Sequence, residues 1–288
     1  MPELRARFSP ALTVLMPLKA YHDRYLEQSL ASLVGQTCET WRLVVIVEPA
    51  DAEGLGEVLR PWLGDDRLSI AVNEGVRLAG AINTGVRHAV TDFVALLLAD
   101  DLWAPDAVEV LSDHIRRFPA ADFFHSARRI IDDEGIAISS VHGARVDVTL
   151  DDFAQGAPVK HLLCWRRDYA LALGGLDERS RSVGPDDLDF PWTMAEHGAR
   201  FTAIDACLYI YRDHRRIERL TTHLPLAVHV GELRRIFRKH GLRRRDTNKR
   251  ISEAKQTYLK QCLYRSALDR RGDVSLSRRA SPWRDTYQ

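Results

Sequence analysis

Between residues 11 and 118 the chain alternates short, unbroken apolar runs with amphipathic segments of helical period, and that alternation leaves few folds open. The runs at 11–17 and 43–47 predict buried strands, and those at 68–72 and 93–98 a third and a fourth strand. Tyr25, Leu26, Leu30, Leu33 and Val34 recur at helical spacing and predict a helix over 22–35 that stops near Gly35. Leu55, Val58, Leu59 and Trp62 share one face of a second helix over 51–63. Helices over 78–90 and 105–118 follow, the last with Pro105 in its first turn. Such alternation builds a mostly parallel sheet covered on both faces, in which ligands bind beyond the carboxyl ends of the strands. The polar residues just after each run are therefore the first functional candidates: Pro17 to Lys19, Glu48 to Asp51, Asn73 to Gly75, and Asp100-Asp101.

The pattern changes after residue 120. Residues 123–131, a turn at 132–135 and residues 136–141 read as a hairpin. A strand over 159–165, a short helix over 168–173 capped by Gly174-Gly175, an acidic loop at 184–189 opening a helix that ends near Gly198, and a last strand over 206–211 complete the body. Leu226, Val230, Leu233 and Phe237 lie on one stripe of a helix over 225–238, and residues 250–270 also read as helical, with the final 15 or so expected to be disordered. With 45% hydrophobic residues in 288, the chain can build a substantial core in one or two domains. Cys38, Cys164, Cys207 and Cys262 are too far apart for a CxxC zinc site or a dense disulfide framework, and reduced thiols in a cytoplasm fit them best. No apolar run reaches the length of a membrane span, and the first residues lack the apolar stretch of a secretory signal, so a cytoplasmic location is expected.

Charge is unevenly placed. Residues 231–288 carry 17 Lys/Arg against 6 Asp/Glu, whereas the rest of the chain is acidic, and the net is only +1. Basic helices packed on an acidic body are the simplest reading; a second subunit or an anionic membrane surface, met peripherally, are the other partners such a tail can serve. The body has no basic-aromatic pattern, which argues against nucleic acid.

Four constellations can carry chemistry. Asp100-Asp101 ends a buried strand, where a hard divalent cation could be held by oxygen ligands, although paired Asp residues also cap helices. Asp186, Asp187 and Asp189 crowd three carboxylates into four residues and could supply a general base, or stabilise a helix start. Arg77 and Asn83, on neighbouring turns of one helix, can reach the cleft of Asp100, or be a surface Arg and a helix-interior Asn. His214, beside Arg212 and Arg215, can be structural or lie near phosphate.

In order and spacing these pieces resemble the family 2 glycosyltransferases of the GT-A fold. The resemblance rests on the strand ending at Pro17, Gly35-Gln36-Thr37, and the strand from Trp41 closed by Glu48. It continues through Asn73-Glu74-Gly75, Asn83, the run closing in Ala99-Asp100-Asp101-Leu102-Trp103-Ala104-Pro105, the Gly174 to Glu178 element, Asp186-Asp187, and Tyr211 to His214. It implies a single Rossmann-like α/β domain over 1–224, with a nucleotide-sugar half at about 11–105 and an acceptor half at 106–224. A basic helical extension over 225–288 follows. The resemblance assigns Pro17, Glu48, Arg77, Asn83 and Asp100 to the nucleotide, Asp101 and His214 to a divalent metal (Mn²⁺ or Mg²⁺), and Asp187 to the general base with Asp186 beside it. Two departures stand out: Leu98 replaces the usual first acid of the metal motif, and Glu48-Pro49-Ala50 replaces an Asp-led turn.

The implied reaction is transfer of a sugar from a nucleotide-diphospho-sugar, a UDP-sugar first of all, to an acceptor hydroxyl with inversion and with divalent-metal help. One rival is a sugar-nucleotide nucleotidyltransferase, which should carry a Gly-rich basic loop where this chain has Pro17 to Tyr21. The other is a catalytically silent binding protein, for which only Leu98 speaks.

Overall fold

The computed structural model describes residues 11–19, 21–180, 184–214 and 225–271, with side chains to residue 260. The expected disorder of the last 15 residues lies outside this set.

Eight strands form one sheet: β1 (Leu12–Leu18), β2 (Trp41–Val47), β3 (Leu68–Val72), β4 (Phe93–Leu96), β5 (Leu102–Trp103), β6 (Phe123–Ile131), β7 (Leu163–Arg166) and β8 (Phe201–Arg212). Their order is β3-β2-β1-β4-β7-β6-β8-β5. The first four strands pair in parallel, as does β6 with β8, whereas β4–β7, β6–β7 and β5–β8 are antiparallel. The chain runs outward from β1 through β2 to β3 and then returns to place β4 on the other side of β1. That reversal opens a crevice at the carboxyl ends of β1 and β4.

Strict alternation along the strands feeds two cores. Val14, Met16, Leu43 and Val45 face α1 (Asp23–Val34), α2 (Ala52–Leu59) and, further along, α4 (Ala107–Arg117), through Leu26, Leu30, Leu55, Val108 and Leu111. Leu15, Val44, Ile46 and Val94 face the opposite way, onto Ala79, Ile82 and Val86 of α3 (Arg77–His88). Runs that are apolar at every position are what a sheet covered on both sides demands. The same second core takes in Trp165, Phe190 and Trp192 together with Val230, Leu233, Ile236 and Phe237. The last four belong to α8 (Leu226–Lys239), which follows α5 (Leu150–Phe153), α6 (Arg167–Ala172) and α7 (Phe190–Glu196) and precedes α9 (Arg244–Arg271). The apolar stripe expected on 225–238 is thus buried against the body.

Several expectations change in the second half. Residues 136–141 do not form a continuous return strand; this stretch and His142 meet β6 at two isolated bridges, Ile131 with Ala137 and Arg128 with His142, and through the Ile138 N–H on Ile130 O. The lasting partners of β6 are β7 and β8, both distant in sequence. The strand expected over 159–165 is shorter and later, and that over 206–211 begins at Phe201. The acidic loop at 184–189 is a π-helical turn, Pro185–Asp189, running straight into α7. Among the described residues no helix is long and apolar enough to cross a membrane.

Candidate active site

The crevice is built first from strand ends. Pro17 lies near the end of β1, opposite Ile46 of β2. Glu48 follows β2 directly, and its Oε1 accepts a hydrogen bond from Asn73 Nδ2 at 3.0 Å. Asn73, after β3, uses its Oδ1 to accept the Gly75 N–H at 2.9 Å, which fixes the turn into α3.

The start of α3 is locked by a segment far along the chain. Glu178 accepts Val76 N–H and Asn83 Nδ2 on its two carboxylate oxygens, both at 3.0 Å. Asn83 Nδ2 also donates to Leu176 O at 3.0 Å, and its Oδ1 accepts Leu176 N–H at 2.8 Å. Both amide donors of Asn83 are thereby spent, so the structure brings this residue to the 174–178 segment and not to the strand ends where nucleotide binding was expected. Gly80 permits this closeness, because a Cβ there would sit 2.6 Å from the Gly75 carbonyl carbon. Arg77 takes φ 61, a left-handed backbone rare outside glycine, and its guanidinium donates to Glu178 O at 3.2 Å. Arg77 is otherwise exposed at the mouth of the crevice.

Asp100 and Asp101 have opposite surroundings. Asp101 is 1% exposed; its Oδ2 accepts Tyr209 O–H and its Oδ1 accepts Arg212 N–H, both at 2.7 Å. Burial and the neighbouring charge of Asp100 push its pKa up to about 7, against the pull of those hydrogen bonds. Asp100 keeps 28% of its side chain exposed, and its Oδ2 lies 2.9 Å from His214 Nε2. The His214 side chain is fully buried against the Tyr25 ring, and its Nδ1 has no partner among the described residues. Asp101 therefore fixes the loop to β8, while the partly exposed Asp100 carboxylate is paired with the buried His214 imidazole. Arg212 braces them from behind: it is buried, stacks on Tyr25, and donates to Asp100 O at 3.0 Å and Gln28 Oε1 at 2.8 Å. A groove of about 650 Å³ beyond it, lined by Gln28, Ser32, Trp103 and Arg129 among others, contains none of the predicted site residues.

The acids of the π-helical turn also separate. Asp186 is buried, and its Oδ2 lies 2.9 Å from His161 Nε2. Burial opposes charge on His161, yet the hydrogen bond and the charges of Asp186 and Asp187 outweigh it and raise its pKa. The His161 ring packs 5.2 Å from that of Tyr209, so one buried chain of groups runs from Asp101 through Tyr209 and His161 to Asp186. Asp187 is only half-buried and accepts no hydrogen bond among the described residues; burial first, and Asp186 second, raise its proton affinity. Asp189 is turned away, 1% exposed, with its Oδ1 accepting from His240 Nε2 at 2.8 Å and Lys239 Nζ at 2.9 Å. His161 was missed in the sequence because a lone His carries no spacing signal; only its position across from Asp186 gives it meaning.

A divalent ion fits this donor set. No group of three or more His, Cys, Asp or Glu that could cage a metal occurs among the described residues. One carboxylate and one buried imidazole suit Mg²⁺ or Mn²⁺ when phosphate and water complete the shell.

Comparison with known proteins agrees with this geometry. The pattern of the family described as Glycosyl transferase family 2 matches residues 13–158. EpsE of Bacillus subtilis (strain 168) is 24% identical over 212 residues, 71% of this chain and 73% of that one. The structure of S. aureus TarS 1-349 in complex with UDP-GlcNAc superposes with TM-score 0.61 at 16% identity, covering 86% of this chain and 71% of that one. The mannosyltransferase PcManGT from Pyrobaculum calidifontis, in complex with GDP-Man and Mn²⁺, superposes with TM-score 0.54 at 21% identity, covering 81% and 64%.

Proposed function

The chain belongs to glycosyl transferase family 2, and from that premise we propose that it moves a sugar from a nucleotide-diphospho-sugar, a UDP-sugar first of all, to an acceptor hydroxyl, inverting the anomeric carbon in one displacement. The observation that carries this reading is the pair of unlike carboxylates at one crevice: Asp100 beside His214, and the accessible, proton-avid Asp187 beside the buried His161–Asp186 pair.

Glu48, fixed by Asn73, offers a carboxylate to the N3–H of uracil at the end of β2. Arg77, exposed at the start of α3, and Pro17, near the end of β1, would add further nucleotide contacts. Asp100 and His214 would hold the divalent ion, while Asp101, the ligand the resemblance implies, anchors their loop through Tyr209 and Arg212. When bound, the ion offsets the negative charge that builds on the departing diphosphate. Asp187 accepts the proton of the acceptor hydroxyl as it attacks, and its raised proton affinity suits that task near neutral pH. Asp186, tied to His161, keeps the turn in place. A single displacement needs no enzyme nucleophile.

The UDP-GlcNAc bound by TarS and the Mn²⁺ bound by PcManGT support the donor class and the ion. The test is release of nucleoside diphosphate from a panel of UDP-, dTDP- and GDP-sugars. Release from a UDP-sugar that stops in Asp187→Asn supports the reading. Formation of sugar nucleotide from NTP and sugar phosphate favours the nucleotidyltransferase, and binding without turnover favours the silent protein.

A further inference from the structure

Among the described residues, Arg128 is a cation without an anion. Most arginines of the body are matched to a carboxylate, as Arg67 is to Asp65 or Arg87 to Glu74. Arg128, on β6, has neither an ion pair nor a side-chain hydrogen bond among the described residues; its Nε is buried with no partner. Its guanidinium lies over the Tyr211 ring at 5.2 Å, which fixes its orientation while leaving Nε unsatisfied. A buried donor left unmatched is costly, so such a group in a settled fold calls for an occupant.

The surroundings add positive charge. Arg128 exchanges two backbone hydrogen bonds with His142, at 3.0 and 2.8 Å. Lys160, whose Nζ donates to Ala157 O at 2.8 Å, precedes His161, the partner of Asp186. The charges of Lys160 and Arg128 both act on Asp187 and on the His142 ring, and that of Arg128 reaches His161. The strand beside Arg128 is irregular: β8 carries extra residues against Ser126 to Arg128, a bulge of the kind that re-aims side chains at sites. The charges of a guanidinium and an ammonium therefore both reach Asp187.

We propose that Arg128, with Lys160, receives a phosphate group on the acceptor, so that the hydroxyl attacked at Asp187 belongs to a phosphate-bearing molecule. Two donors of a guanidinium fork match two phosphate oxygens, a recognition that lysine alone cannot reproduce. The inference rests on the transferase reading, since it takes Asp187 as the base. Phosphate oxygens near Arg128 could also be those of the donor diphosphate, and the two sources make different predictions.

The test is calorimetry on the full chain with UDP and Mn²⁺, then with glucose 1-phosphate or uncharged methyl glucoside added to the UDP-saturated protein. The expected result is glucose 1-phosphate binding at least about tenfold tighter than methyl glucoside, with Arg128→Gln removing the difference and leaving UDP affinity within about twofold. Arg128→Lys should recover only part of it, and thermal unfolding of each variant checks the fold. Equal binding of the two probes by the wild type overturns the proposal. So does a tenfold loss of UDP affinity in Arg128→Gln, which would give the guanidinium to the donor. Failure of UDP to bind, with Arg128-dependent glucose 1-phosphate binding retained, would overturn the donor assignment and leave the anion site standing.

Discussion

The half of the sheet from β1 to β4 and the half from β5 to β8 treat polar groups in opposite ways. In the first half β1, β2 and β4 bury aliphatic side chains on both faces, with Thr13 bonded to Thr91 as the buried polar exception, the edge strand β3 leaves Ile70 and Val72 exposed, and the candidate polar groups sit at the strand ends at Glu48, Asn73 and Asp100. In the second half His125, Ser126, Tyr209 and Arg212 are buried within the strands themselves, and Asp101, His161 and Asp186 are threaded among them. His125, with both ring nitrogens unpartnered, has its pKa pushed down to about 4 by burial and by Lys160. The difference teaches that the first half is an apolar platform with a polar rim. The second half carries the carboxylates proposed for catalysis on a buried ionic framework. Substitutions in the two halves should therefore fail differently.

The largest effect is expected at the acceptor rim. Asp187→Asn should lower turnover by about 10²–10⁴-fold with UDP affinity near wild type, because a base assists the reaction without holding the nucleotide. Steady-state release of UDP alongside a binding titration measures both. Full activity in Asp187→Asn with loss in Asp186→Asn would move the base by one residue.

Next comes the framework behind it. Asp189→Asn leaves His240 and Lys239 without their buried counter-ion, and breaking such a pair costs about 3–5 kcal/mol. A thermal melt should fall by roughly 2–4 °C per kcal/mol for a body of this size. Burial alone would raise the pKa of Asp189, but the His240 hydrogen bond and the Lys239 charge hold it below its ordinary 3.8. Its contribution is therefore full above that value and lost as pH falls through the lower native one. Asp189→Asn should flatten the acid limb of the stability curve, and an unchanged limb would count against the pairing.

A smaller effect belongs to the donor rim. Glu48→Ala should weaken UDP by about tenfold, the worth of a charge-assisted hydrogen bond, while ADP binding stays unchanged. Equal losses for both nucleotides would take the uracil contact away from Glu48. The smallest is at the surface, where Arg24 and Glu134 pair at 3.4 Å with 44% and 54% of their side chains exposed. Glu134→Ala should shift stability by no more than about 0.5 kcal/mol in a denaturant titration.

The two halves also differ in how far the sequence revealed them. The parallel strands announce themselves because burial on both faces forces unbroken apolar runs, and the strand-end rule then points to Glu48 and Asp100. In the second half, β5 is only Leu102–Trp103, too short for any period to register. The start of β8 was missed because exposed Asp205 and Ala206 interrupt its pattern at the bulge. Residues 136–141 alternate like a strand, yet they meet β6 through isolated contacts while β7 and β8 form its ladders. The distinct roles of Asp100 and Asp101 depend on Tyr209 and Arg212, more than a hundred residues away. The Asp186–His161 and Asp189–His240 pairs are likewise set by tertiary contacts alone.

The central proposal is that Asp100 and His214 would hold the ion while Asp101 anchors the loop. Calorimetric titration of UDP with Mn²⁺ and with EDTA, on the wild type, Asp100→Asn and Asp101→Asn, tests it directly. The predicted result is UDP binding tightened at least about tenfold by Mn²⁺ in the wild type, no metal effect in Asp100→Asn with the fold intact, and lowered thermal stability in Asp101→Asn. Equal UDP affinity with Mn²⁺ and EDTA in the wild type, or a metal effect kept in Asp100→Asn and lost in a folded Asp101→Asn, would contradict it.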